Sequence, residues 1–309
     1  DIADVIRATG EDAAVLLKND GDILPLVASR GSVALIGPTA RQVASIGISG
    51  ERAVGRVDRQ VGPFDALKQT GTGLDVRLAV GSDLTGRVVP AGALTTTNGK
   101  AGLTRSHDGR ETGTDAQIDF TGTRALPAGS SAVWEGTLTV PAAGRYMIAV
   151  QSMGARGRVE IDGERVASMS RVAGTLHGDI VQAGQDDILP TVDGLNNARG
   201  EVELAAGTHK IVVKAIADTS GSPVQVRLNW VTPDQRAADR AEAIEAARTA
   251  DTAVVFAWSR GKPAFALPGD QDEFIAAVAA ANRNTVVVLN VSQPVAMPWL
   301  DKVKGLVQM

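Results

Sequence analysis

Residues 13–26 read AAVLLKNDGDILPL, and the fold is decided by how this stretch is understood. Ile2, Val5, Ile6, Ala13, Leu16 and Leu17 recur at spacings of three, four and seven, which predicts a helix up to Lys18. Lys18-Asn19-Asp20-Gly21 reads as its stop, because glycine readily takes the left-handed conformation that ends a helix. Leu24-Pro25-Leu26 then re-enters the core ahead of a continuously apolar strand in SVALIGP, residues 32–38. Such a run suits a parallel strand covered on both faces.

Outward from that stretch, VRLAV at 76–80 reads as a partner strand and FDALKQT at 64–70 as the helix between, which is βαβ grammar. The same grammar returns after residue 235. QRAADRAEAIEAARTA is expected to be helical, TAVVFAW at 252–258 a buried strand, DQDEFIAAVAAAN a helix and TVVVLNV at 285–291 another buried strand.

Between these halves the pattern changes to period-two alternation: AVWEGTLTV at 132–140, GRYMIAVQS at 144–152, GRVEIDGERVAS at 157–168, HKIVVKAIA at 209–217 and PVQVRLNWV at 223–231. These are expected to be antiparallel strands, with Asp162-Gly163 as a hairpin turn. The expected fold is therefore a mostly parallel α/β sandwich (1–87 and 233–309) interrupted by an all-β sandwich insert (88–232), an arrangement that exposed α/β loops tolerate.

Composition narrows the function classes. With 309 residues and 44% hydrophobic content the chain can bury two cores. Its net charge of −4, with scattered basic residues, provides no footprint for a phosphate backbone, so nucleic acid is not an expected partner. No apolar run approaches the roughly 20 residues of a membrane span, so no membrane partner is expected either. Without cysteine there is no disulfide or thiolate zinc site, and the compartment stays open. His107, His177 and His209 are isolated, which does not support zinc. The glycines Gly47, Gly50 and Gly55 lack the spacing that cradles a pyrophosphate. No cofactor is called for.

Four blocks in order, namely AAVLLKNDGDILPL, SVALIGPTA at 32–40, LPGDQDEFIAAVAAANRNTVVVLNVSQPV at 267–295 and MPWLDKVKGLVQM at 297–309, resemble the C-terminal α/β domain of family-3 glycoside hydrolases. The stretch WEGTLTVPAAGRYMIAVQSMGARGRVEIDGERV resembles the protective-antigen-type β-sandwich that many members carry as an insert. The resemblance implies retaining hydrolysis of terminal β-linked sugars, most plainly as a β-glucosidase, with a carbohydrate substrate. That chemistry needs two carboxyls about 5 to 5.5 Å apart. In the family the nucleophilic Asp sits on an N-terminal catalytic barrel, which becomes the implied partner, since nothing in this sequence reads as that barrel. The alternative is a non-catalytic carbohydrate-binding or scaffolding protein.

The family's acid/base is commonly a Glu in the loop after the strand that here reads AVVFAW, ahead of Leu-x-Leu-Pro. This sequence has Trp258-Ser259-Arg260-Gly261-Lys262-Pro263-Ala264-Phe265-Ala266-Leu267-Pro268, with no Glu and no Asp. Either the acid/base is lost or relocated, or loop residues are absent from this sequence; the mobility of active-site loops favours the second. No catalytic residue is identifiable.

Arg260 and Lys262 follow the carboxyl end of a parallel strand, where α/β sheets place ligands, and are candidate sugar or partner contacts against the alternative of a solvated basic loop. Trp258 is a candidate stacking platform, with core packing as the plainer reading. Thr39, Arg41 and Ser49 occupy an equivalent rim, where structural turn roles compete. Two polar segments, TRSHDGRET at 104–112 and VDGLNNARG at 192–200, are expected to be loop tips, the second carrying Asn196, Asn197 and Arg199 as candidate sugar contacts. Asp186-Asp187 is a weak calcium motif. Trp134 and Tyr146 are expected in the sandwich core.

Overall fold

A computed structural model describes the chain apart from residues 1, 27–30, 42–60, 71–72, 170, 173–179, 182–190, 192, 194, 260–263 and 292. Arg260, Lys262, Ser49, Gly47, Gly50, Gly55, Asp186, Asp187 and His177 therefore lie outside the described residues. Two compact units emerge. The first takes the described residues of Asp1–Val43, Val61–Asp83 and Arg236–Met309; the described part of the second is drawn from Leu84–Gln235.

The first unit is built on a six-stranded sheet in the order Val15–Asn19, Gly305–Gln308, Thr285–Val291, Thr252–Ser259, Ser32–Ile36, Asp75–Ala79. Every pairing is parallel except that of Val15–Asn19 with Gly305–Gln308. The mostly parallel α/β fold expected from the apolar runs is what the sheet shows. Its helices are α1 (Ile2–Ala13), α2 (Pro63–Thr70), α3 (Pro233–Thr249) and α4 (Gln271–Ala281). One face of the sheet packs Ala34, Ile36, Val255 and Val287 with Ala243 and Ala247 of α3 and Phe274 and Val278 of α4. The other packs Val33, Leu35, Val254 and Phe256 with Phe64 and Leu67 of α2. Covered on both faces, the central strands must be apolar throughout.

The opening stretch departs from its expected helix. That helix ends at Ala13, and Val15–Asn19 is an edge strand with a bulge between Leu16 and Lys18. The reason is tertiary: Gly305–Gln308 leaves one edge of backbone groups unpaired, and a ladder to that edge overrides the helical propensity of Leu16, Leu17 and Lys18. Leu16 and Leu17, expected on the apolar face of that helix, are each 54% exposed. Asn19 closes the turn that follows, donating from Nδ2 to Leu24 O (3.0 Å) and accepting at Oδ1 from Leu24 N (2.9 Å). Gly21, with φ of 63°, occupies the left-handed position inside that turn.

The second unit contains two antiparallel sheets around one core. The first runs Asn196–Leu204, Gly144–Met153, Gln225–Val231, Arg87–Val88, with Asp119–Phe120 also on Gln225–Val231. The second runs Glu164–Ser168, Ala155–Ile161, Gly207–Ala217, Ala132–Val140, Leu103–His107, Arg110–Asp115, with Leu94–Thr95 on Ala132–Val140. Alternation aims Trp134, Leu138, Ile148, Val150, Val159, Val213 and Leu228 into the shared core. Trp134 and Tyr146 are buried there, as their strand positions predict. Asp162 and Gly163 take φ of 52° and 87°, the signs a two-residue hairpin turn needs.

Both segments expected to be loop tips contain strand. Residues 103–115 are a hairpin turning at Asp108-Gly109, and Asn196 begins the nine-residue strand Asn196–Leu204. Polar residues along these strands imitate loop composition; pairing with neighbours distant in sequence makes them sheet.

Candidate functional site

Five parallel strands bring their carboxyl ends to one edge of the first unit, the place where open α/β sheets put their functional groups. Ser32–Ile36 pairs with Thr252–Ser259 only as far as Ile36 opposite Val255. Gly37 then turns the chain with φ of 115°, and a Cβ there would lie 2.4 Å from Phe256 O, so only glycine fits. Beyond that point Thr252–Ser259 has lost its neighbour on this side. The buried carboxamide of Gln271, in the first turn of α4, takes the neighbour's place: its Oε1 accepts from Trp258 N, and its Nε2 donates to Trp258 O and Pro268 O, each at 2.9 Å. One side chain thus satisfies both polar groups of the Trp258 main chain and ties the strand end to the turn before α4.

Trp258 itself is 1% exposed, which is packed indole rather than a platform open to a sugar ring. Its Nε1, the Thr39 hydroxyl and the Ser259 hydroxyl are buried at this edge with no hydrogen-bond partner among the described residues. Buried donors of this kind are few in folded proteins, and three at one sheet edge mark it as the polar focus of the unit. Arg41 nearby is exposed.

Phe265 is a second irregularity. It holds φ of 59°, unfavourable for a bulky residue, pinned by a bridge to Val295 and by Ala296 N donating to its carbonyl at 2.9 Å. Its side chain is 68% exposed. Asp272, in the first turn of α4, accepts from Trp299 Nε1 at 2.7 Å, and burial pushes its carboxyl above the ordinary value despite that hydrogen bond. Asp270 pairs with Arg240 at 3.1 Å, and Arg240 lies over the Phe274 ring. These carboxyls are engaged in holding helices, and the described residues contain no group of three or more His, Asp or Glu fit for a metal.

The other candidates fall in the second unit and have structural partners. Asn197 is fully buried on its strand; its Nδ2 donates to Leu84 O (2.7 Å) and its Oδ1 accepts from Gln151 Nε2 (3.0 Å). Gln151 also donates to Thr85 O and accepts from Arg227 Nε, each at 2.7 Å, and Asn229 Nδ2 donates to Thr85 O and Gly86 O, each at 3.0 Å. Arg227 continues the network to Asp193 at 2.9 Å. Asn197 is thus a clamp on residues 84–86 and not a group facing solvent. Asn196 is 8% exposed, and Arg199 is half-buried opposite Ala149. Sequence reading missed Gln271, Gln151 and Phe265. A Gln two residues after Pro-Gly was the available signal for the first; the others carry none without the pairing partners.

The glycosyl hydrolase family 3 C-terminal domain matches residues 14–309. The chain belongs to that family. This family-3 domain is 29% identical to Beta-glucosidase B of Emericella nidulans over 98% of its own length and 38% of the relative's. It is likewise 29% identical to a beta-glucosidase of Rhizobium radiobacter, over 99% of this chain and 38% of that one. Among solved structures it resembles DesR, a beta-glucosidase from Streptomyces venezuelae in complex with D-glucose, at 32% identity and a TM-score of 0.65 across 98% of this chain and 34% of that one. The beta-glucosidase of Kluyveromyces marxianus, at 21% identity and a TM-score of 0.51, shares the fold. The family-3 domain spans well under half the length of these relatives.

Proposed function

We propose that this domain serves a retaining β-glycosidase of β-glucosidase type, packing against a catalytic barrel and shaping the mouth of its sugar pocket. The observation that carries this reading is the 32% identity, sustained over 98% of the chain, to a beta-glucosidase bound to D-glucose. Cleavage with retention uses a nucleophilic carboxylate and an acid/base carboxyl on opposite sides of the scissile bond. The nucleophile belongs to the barrel. What this domain contributes is the edge where Gln271 fixes the departure of the chain after Trp258, with Phe265 exposed on its return. Arg260 and Lys262, in the interval between, are proposed to meet the sugar or an acidic group of the barrel. The insert is proposed to be a protective-antigen-type sandwich that limits substrate length.

The test is a polypeptide in which this chain follows a family-3 barrel. It is expected to hydrolyse p-nitrophenyl β-glucoside and to release the β-anomer first, read by proton NMR. Inversion at C1, or a folded fusion that neither turns over nor forms a covalent glucosyl adduct with an activated 2-deoxy-2-fluoroglucoside, overturns the reading. A carbohydrate-binding protein without catalysis is the second reading, favoured by one observation: no Glu or Asp stands between Trp258 and Pro268.

A further inference from the structure

The second unit holds a cleft of about 490 Å3 between its hairpin 103–115 and the segment 126–132, lined by Arg105, His107, Thr112, Leu126, Ser130 and Ser131 among others. That size is within the range of small-molecule sites. We propose that it binds a neutral, hydroxyl-rich ligand of the size of a sugar ring.

The case begins with alternation. Leu103 is fully buried in the core, and Arg105, two residues on, sits opposite Trp134 in the ladder, a residue of the same core. Arg105 is therefore a cation on the core-facing side of a sheet, a placement that is costly without compensation. Compensation is present but partial. Nε lies 3.4 Å from Asp115 Oδ2, which also accepts from Trp134 Nε1 at 2.7 Å, and the guanidinium stands 5.6 Å over the Phe120 ring, itself stacked on Trp134. The side chain remains 27% exposed and lines the cleft. Partly exposed guanidinium donors at the wall of a cleft are available to a ligand's acceptors.

The neighbours complete an alternating set. His107 Nδ1 lies 2.6 Å from Ser131 O, a carbonyl that can only accept, so Nδ1 donates there, while Nε2 lies 3.3 Å from Asp108 Oδ2. Ser131 Oγ accepts from Ala217 N at 3.0 Å, which leaves its hydroxyl proton to give. Thr112 Oγ1 donates to Arg105 O at 3.2 Å, which leaves its lone pairs to receive. Donors from Arg105 and Ser131 and the lone pairs of Thr112 thus share one concavity. A sugar hydroxyl donates and accepts at once and matches such a set. An inorganic anion supplies acceptors only and meets the Asp115 carboxylate behind Arg105.

The site stands independently of the glycosidase reading; only the choice of a glucoside among the probes rests on it. The experiment is a titration of the 15N-labelled 309-residue chain with methyl β-glucoside, methyl β-galactoside and methyl α-mannoside, and separately with sodium sulfate. At least one glycoside is expected to give saturable amide shifts confined to residues 103–115 and 126–132, with a Kd of about 1–10 mM. Sulfate is expected to give none. Ser130→Tyr, which fills the cleft from a surface turn, is expected to abolish the shifts while preserving the rest of the spectrum. Arg105→Lys, which keeps the charge but loses the planar fork, is expected to raise Kd about tenfold. Absence of saturable shifts there with all three glycosides overturns the proposal. So do saturation by sulfate at the same amides and undiminished binding by a folded Ser130→Tyr chain. None of these outcomes depends on hydrolysis, so failure here is distinguishable from failure of the glycosidase reading.

Discussion

The strands Thr252–Ser259 and Val15–Asn19 belong to one sheet and both are rich in apolar side chains, yet one is buried along nearly its whole length and the other is half-exposed. Thr252–Ser259 has a neighbour on each side and a packed layer on each face. Val15–Asn19 has a single neighbour, and Val15, Leu16 and Leu17 are 49–54% exposed. Apolar content therefore does not specify burial; lateral partners and covering layers do. The contrast also sets where polar groups are costly. Where the central strand loses its partner past Ile36, a buried carboxamide has to replace the missing ladder.

Breaking the contrast at its strongest point, Val255→Asp places a carboxylate in the two-sided core and is expected to cost about 4 kcal/mol or more, read from urea unfolding of the chain. Gln271→Leu keeps the volume but strands Trp258 N, Trp258 O and Pro268 O. A loss of about 2 kcal/mol is expected by the same measurement, and a change below about 0.5 kcal/mol would show that the carboxamide does not replace the ladder.

A smaller, surface counterpart lies in the second unit. His209 Nε2 meets Ala205 O at 2.8 Å and Nδ1 meets Asp162 Oδ2 at 2.7 Å, two acceptors that together favour the doubly protonated ring. The Ala205 carbonyl first, then the Asp162 carboxylate, hold the His209 pKa above its ordinary value; the His209 hydrogen bond lowers that of Asp162. The raised His209 pKa gives stability that is full below the unfolded histidine value and fades as pH rises through the folded one. The lowered Asp162 pKa gives stability present above the unfolded carboxylate value and lost as pH falls through the folded one. Both contributions coexist between about pH 4 and pH 6.5. Asp162 is 54% exposed, so the gain is screened to below about 1 kcal/mol. Urea midpoints compared between pH 5.5 and 9 are expected to fall slightly in the native chain, and this component is expected to vanish in His209→Gln. At the weak end, Leu16→Asp on the edge strand is expected to change stability by no more than about 0.5 kcal/mol.

The same contrast explains what was legible in the sequence. Continuous runs such as TVVVLNV and alternating ones such as AVWEGTLTV carry their environment in their own period, and both appear as the strands expected. Leu16 and Leu17 do not, because the ladder that makes them strand is supplied by Gly305–Gln308, nearly the full chain away. Asn197 was misjudged for a related reason: its partners Leu84 and Gln151 are remote in sequence, and without them a polar Asn-Asn pair looks like a surface loop. Gln271 could be recognised only once the early end of Ser32–Ile36 was known.

The central proposal is that this edge of the parallel sheet supports a carboxylate chemistry supplied by another domain. The direct measurement is release of p-nitrophenol from p-nitrophenyl β-glucoside by the purified 309-residue chain. No turnover above the uncatalysed rate is expected at any pH between 4 and 8. Turnover that persists after repurification, and is lost when Asp270 or Asp272 of this chain is changed to Asn, would contradict it.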